Sequence, residues 1–309
     1  MHPPWSMIFF TTLAGAAQGL LLALLGVDVA RSLGLVQAPE ALFLAGAVIT
    51  LAMCGVGLVA ASFHLGHPWR GWRAMAMWRT SWLSREVIVL PAFMAAVAAW
   101  GLAHALQAPA LAWGVLAAVL ALALYVCTGM IYGAVKAIRE WATPLTPINY
   151  TLIGLASGAM LASALAAFMA APLAPGLARL ALVATLVAAV ARGYAYWRNQ
   201  RLVPSTTLQT AIGVRHPRIV QKSQGAMGGS FNTREFFHGR PATLVMRVRW
   251  AAALLGFVLP AAALAATAAP SGPLLALLFV LQYAGLLAER WSFFTEANHP
   301  QNLYYRAIA

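Results

Sequence analysis

The chain has 309 residues, is 62% hydrophobic and only 9% charged, and has a mean hydropathy of +0.77, more apolar surface than a soluble fold can hide. Its net charge of +13 invites a nucleic-acid reading. The Lys and Arg residues flank hydrophobic blocks, however, where the positive-inside bias and anionic headgroups account for them, so no nucleic-acid partner is expected.

Apolar blocks of about 20 residues are what a helix needs to cross a hydrocarbon core of about 30 Å. In chain order they predict spans near 7–29, 41–63, 86–106, 110–132, 149–171, 177–197, 247–269 and 272–290. The predicted fold is therefore all-α, a bundle of eight transmembrane helices forming one anchor domain over 1–309, with a lipid bilayer as its solvent. The first block is longer than a signal-peptide core and has no basic residue before it, so it is expected to be a retained helix. Cys54 and Cys127 sit inside apolar blocks and form no metal motif; each is expected to act as a small hydrophobe. GxxxG spacings at Gly15/Gly19 and Gly154/Gly158 are expected to mark close helix contacts.

Alternating the loops places 18 of the 20 Lys and Arg residues on one face and only Arg31 and Arg179 on the other. By the positive-inside rule both termini face the cytoplasm, which predicts a multi-pass protein of the bacterial inner membrane. The opposite-face connections near 107–109, 172–176 and 270–272 read as plain turns. On the basic face, the segment 198–246 is too polar and too long for a turn and is expected to dock a partner subunit, through Arg215, Arg218, Lys222, Arg234, Phe236 and His238.

The spans look almost free of ionisable side chains, which are costly in lipid. Polar chemistry collects instead at basic-face helix ends: in His2–Ser6, in His64–Arg70, in Ser81–Glu86, and around Glu289, Arg290 and Glu296. His64 ends the second span, where Gly66 and Pro68 should break the helix and turn the imidazole towards Arg70 and Arg73. Such a group can pass a proton near neutral pH; an interfacial His bonded to a loop carbonyl is the plainer alternative. Arg85 and Glu86 begin the third span with Ser84 as its N-cap, so Glu86 is either a helix-end charge or part of an ion pair or proton relay. His64, His67 and His104 all lie at helix ends, which does not suit a bis-His haem, and no haem is expected.

Three motifs carry a resemblance: His2-Pro3-Pro4-Trp5-Ser6-Met7-Ile8-Phe9-Phe10, His64-Leu65-Gly66-His67-Pro68-Trp69-Arg70, and Trp78-Arg79-Thr80-Ser81-Trp82-Leu83-Ser84-Arg85-Glu86. With Ser230–Gly239 and the tail Asn302–Tyr305, they resemble the DMSO-reductase-type membrane-anchor family along the whole chain. The resemblance implies a complex with a molybdopterin catalytic subunit and a ferredoxin-like iron–sulfur subunit, whose cofactors stay in those partners, and an anchor that binds quinone, ubiquinone or menaquinone. It implies quinone-site roles for His64, Gly66 and Arg70, and, by the Ser-Arg-Glu match, for Glu86 with Arg85 beside it. One branch of the family reduces sulfoxides with quinol; another resembles cytoplasmic sulfite dehydrogenases that pass electrons to quinone. The basic motif face favours the sulfite-oxidising branch. A structural anchor without a quinone site and a small-molecule or ion transporter are the rival readings.

Overall fold

In the computed structural model, which describes residues 4–63, 65–203, 207–219 and 242–297, the first helix is the axis. α1 (Trp5–Ser32) has 83% of its most apolar stretch buried, against 33–61% for the other spans. Packed around it are α2 (Glu40–Ser62), α4 (Leu111–Gly133) and α5 (Leu145–Met169); α3 (Trp82–Ala105) leans on α2 and α4, and α6 (Ala174–Gln200) on α5. α7 (Thr243–Ala266) and α8 (Gly272–Thr295) close the other flank. The described residues thus hold eight helices long and apolar enough to cross a membrane, and no strand. Every expected span is a helix, and the chain is a multi-pass membrane protein.

Lipid is as apolar as the helix faces, so association depends on close backbone packing rather than on hiding apolar surface from water. α1 and α5 meet where both GxxxG pairs predicted. A Cβ on Gly158 would stand 2.1 Å from the Gly19 carbonyl carbon, and one on Gly19 2.1 Å from the Gly154 oxygen. Tyr125 locks α4 onto the same seam by donating to the Gly15 carbonyl at 2.7 Å. In α7 the chain makes a π-helical turn over Leu254–Val258. Pro260 has no N–H to give the Gly256 carbonyl four residues back, and buried Gln282 of α8 donates to that oxygen at 3.3 Å and to Thr185 of α6 at 3.0 Å.

Several expected boundaries are corrected. α3 begins at Trp82, and its N-cap is Ser81, whose hydroxyl accepts from the Ser84 N–H at 3.3 Å; Ser84 is inside the helix. α5 begins at Leu145 rather than 149, and helix covers both ends of the segment read as the 198–246 loop, up to Gln200 and again from Ala242. Hydropathy marks where lipid begins, whereas a helix continues into the headgroup layer as long as its backbone bonds close. Among the opposite-face turns, Gln107 adopts a left-handed φ of 54° and Ala171–Leu173 is a short 3-10 helix.

The largest correction concerns charge. The spans are not free of ionisable groups. At the opposite face, α1, α2 and α3 are pinned by one network: His104 Nδ1 is 2.6 Å from Glu40 Oε2, His104 Nε2 is 3.1 Å from Asp28 Oδ2, and Trp100 donates to the same Asp28 oxygen at 3.0 Å. Arg31 completes it, 2.6 Å from Glu40 and 3.4 Å from Asp28, with its guanidinium over Phe43. His104 is buried and stacked on Phe43, ring centroids 4.5 Å apart. The opposite face thus matches Arg31 with two carboxylates.

Candidate functional site

At the basic-face end of α3, two neighbouring residues of one motif point apart. Arg85 turns outward: it donates to the Trp78 carbonyl at 2.9 Å and the Arg79 carbonyl at 2.8 Å, and lies 4.3 Å over the Trp82 ring. These contacts hold the 78–81 turn against the helix. Glu86 turns inward and is buried, where Thr128 of α4 donates to its carboxyl oxygen. A carboxyl bonded to a hydroxyl within a membrane span is uncommon and is a functional-site signal by default.

The motif loop lies beside this pair in the chain. A 3-10 helix, Pro68–Met77, carries Arg70 and Arg73 with Trp69 and Trp72, all exposed, and Trp69 is 94% so. Trp and Arg alternating at this level suit the headgroup layer. Gly66 is exposed, and nothing stands within 4 Å of a Cβ built on it, so no steric demand of the described chain requires glycine there. His64 lies outside the described residues.

A second buried polar cluster lies at the same face, between α5, α6 and α8. Arg192 Nε is 2.6 Å from Glu289 Oε1, and Arg290 Nη2 is 3.7 Å from Glu289 Oε2. Arg192 and Arg249 also reach Glu296, at 3.7 and 3.4 Å. The guanidinium of Arg290 sits 3.6 Å over Tyr150, and that of Arg192 3.9 Å over Tyr196. Burial pushes the Glu296 carboxyl above the usual carboxylate range, against the pull of Arg192 and Arg249. A crevice opens onto the cluster, lined by Glu140, Asn149, Tyr150, Arg192, Glu289 and Arg290 among others. A wall of rings, Tyr132, Trp141, Phe293 and Phe294, stands beside it, with centroids 5.2–6.0 Å apart.

Among the expected docking residues, Arg215 and Arg218 are exposed beside a five-residue helix, Leu208–Ile212. Lys222, Arg234, Phe236 and His238 lie outside the described residues. The described part of this face is tied to the bundle by Arg198, which donates to the Arg139 carbonyl at 3.2 and 3.3 Å, and by Arg139, which donates to the Val203 carbonyl. Neither ring nitrogen of His104 is free for iron, since both face carboxylates.

The structure brings Glu86 to a buried partner and puts Arg70 and Arg85 outside. Sequence reading missed Thr128, which looks like any small polar residue in a span, and the joining of Arg192 and Arg290 to Glu289. The available signal was opposite charge at similar depth in two basic-face helix ends, Arg192 inside the sixth block and Glu289 inside the eighth. Asp28 was the same kind of signal at the other face.

Eight helices long and apolar enough to cross a membrane, with polar motifs at the basic-face helix ends, define a polytopic membrane protein. The profile of the DMSO reductase anchor subunit (DmsC) family matches residues 1–305, and the chain belongs to that family. It is 49% identical over 327 aligned positions, covering 100% of both chains, to a subunit of the sulfite dehydrogenase of Allochromatium vinosum. The chain is thus the anchor subunit of a DMSO-reductase-type complex.

Proposed function

We propose that this subunit binds quinone at the basic-face ends of its first four helices and passes it electrons from sulfite, oxidised by a molybdopterin catalytic subunit through an iron–sulfur subunit. The observation that carries the reading is the buried Glu86–Thr128 pair, at the start of the helix that follows the motif segment with His64, Gly66 and Arg70 in the chain. The full-length likeness to a sulfite dehydrogenase subunit supports sulfite as the donor. The 18-to-2 split of basic residues supports a cytoplasmic basic face in the bacterial inner membrane, with Arg215, Arg218 and the segment from Lys222 to His238 turned towards the partner subunits.

Quinone, when bound, accepts two electrons and two protons. Glu86 and Thr128 form a carboxyl–hydroxyl pair that can hold a proton at the carboxyl and deliver it inside the bilayer, where no bulk water reaches. His64 would serve the opposite oxygen from the loop. Arg70 would place positive charge near it, and Gly66 would leave room for close backbone approach. Arg85, bonded to the Trp78 and Arg79 carbonyls, would hold the neighbouring turn in place for this site.

The test is quinone reduction by the assembled complex carrying Glu86→Gln or His64→Ala. Each should lower quinone turnover by about a hundredfold or more, while dye-linked sulfite oxidation and assembly on the membrane are unchanged. Normal quinone turnover in both variants would sink the assignment.

A further inference from the structure

We infer that the crevice between α5, α6 and α8 is the water-filled inlet of a proton path running through Tyr150 and Tyr132 to the Glu86–Thr128 pair; this rests on the quinone site proposed above.

At the crevice, Asn149 Oδ1 and Arg290 Nε have no hydrogen-bond partner among the described residues, Glu289 Oε2 has only its ion pair with Arg290 at 3.7 Å, and Tyr150 is bonded to Arg290 and Tyr132. All four residues are more than nine-tenths buried. A buried polar atom left without a partner is costly, and water is the usual partner where several such atoms converge on a polar crevice. The opposite-face network shows the contrast, since His104 there spends both ring nitrogens on protein carboxylates.

From the crevice inward the polar groups continue. Tyr150 stacks on Tyr132 with centroids 5.8 Å apart. Tyr132 is four residues beyond Thr128 on α4, hence on the same helix face one turn away, and Thr128 donates to Glu86. The surrounding Trp141, Phe293 and Phe294 rings are buried and apolar, which confines a proton to the line of hydroxyls. The other charged or titratable groups facing this line are Arg290 and Glu289 from α8, Arg192 and Tyr196 from α6, and Glu140 from the α4–α5 connection.

Each quinone reduced takes two electrons from the iron–sulfur partner and two protons. A proton from basic-face water enters the crevice, each phenol accepts one at its oxygen and releases its own, and Glu86 gives the last to a quinone oxygen. One such passage supplies the proton for one quinone oxygen and His64 would supply the other from the loop, so two protons match the two electrons and no net proton is left on the protein.

The experiment uses the intact complex in membrane vesicles with decylubiquinone as acceptor, following kcat and KM from acid to alkaline pH with and without added acetic acid. Tyr150→Phe and Tyr132→Phe each keep the ring and remove the hydroxyl. The expected result is a kcat lowered about tenfold, most strongly at alkaline pH where protons are scarce, with KM and dye-linked sulfite oxidation unchanged and part of the rate restored by the small acid. Wild-type kcat and pH profile in both variants would overturn the path. So would a loss that acetic acid does not relieve, or a raised KM with weakened assembly, since those mark a merely structural role. If Glu86→Gln reduces decylubiquinone normally, the quinone site itself is misplaced; if Glu86→Gln is dead while both Tyr variants are normal, only the path is wrong.

Discussion

The two ends of the bundle solve the same problem differently. At the opposite face, Asp28, Arg31, Glu40, Trp100 and His104 form a closed set in which donors meet acceptors and three helices are fastened. At the basic face, Arg192, Glu289, Arg290 and Glu296 are as deeply set, yet polar atoms there remain unmatched and a crevice reaches them. A saturated network suits a fastener, because nothing more can be gained by admitting water. An unsaturated one suits a site where water and protons come and go.

The sharpest way to break this comparison is to remove half of an ion pair. Glu289→Leu leaves Arg192 and Arg290 buried without their carboxylate and should cost about 3–5 kcal/mol, whereas Arg192→Leu with Glu289→Leu should recover much of that loss; thermal unfolding of the solubilised complex reads both. Next, His104→Phe keeps the stack on Phe43 but strips Asp28 of a partner, at about 2–4 kcal/mol. It should leave the pH profile of quinone turnover unchanged, and a changed profile would end the division of labour between the two faces.

Packing between the clusters comes third. Gly158→Ala forces α1 from α5 and should cost roughly 1–3 kcal/mol, while Gly26→Ala, with nothing within 4 Å of the new methyl, should stay within about 0.5 kcal/mol in the same thermal assay. Among the contacts that are removed, the smallest effect belongs to Arg85→Ala. Losing the partly exposed contacts to Trp78 and Arg79 should cost no more than about 1 kcal/mol and raise KM for quinone, leaving kcat within about twofold.

Much of the fold was legible because the lipid requirement is one-dimensional. A run of about 20 apolar residues must be a helix, whatever it packs against, so all eight spans could be read, and GxxxG could be read as a contact because only glycine permits such approach. The edges were not legible: Ser81 rather than Ser84 caps α3 because the helix starts where the backbone turn closes, a few residues before hydropathy rises. Of the candidate site, the Ser-Arg-Glu motif was visible, but its two charged residues looked equivalent. One step along a helix turns the side chain by about 100°, and that turn sends Arg85 to the loop carbonyls and Glu86 to Thr128.

The sequence by itself determined the solvent, the number of spans and the clustering of polar motifs at the face that carries most of the basic charge, because each follows from composition and order along the chain. Tertiary structure alone decided which charges meet. Asp28 and His104 are 76 residues apart, and Arg192 and Glu289 lie on different helices; their pairing depends on helix rotation and depth, which no local pattern encodes. The same packing decided that one network is closed and the other open.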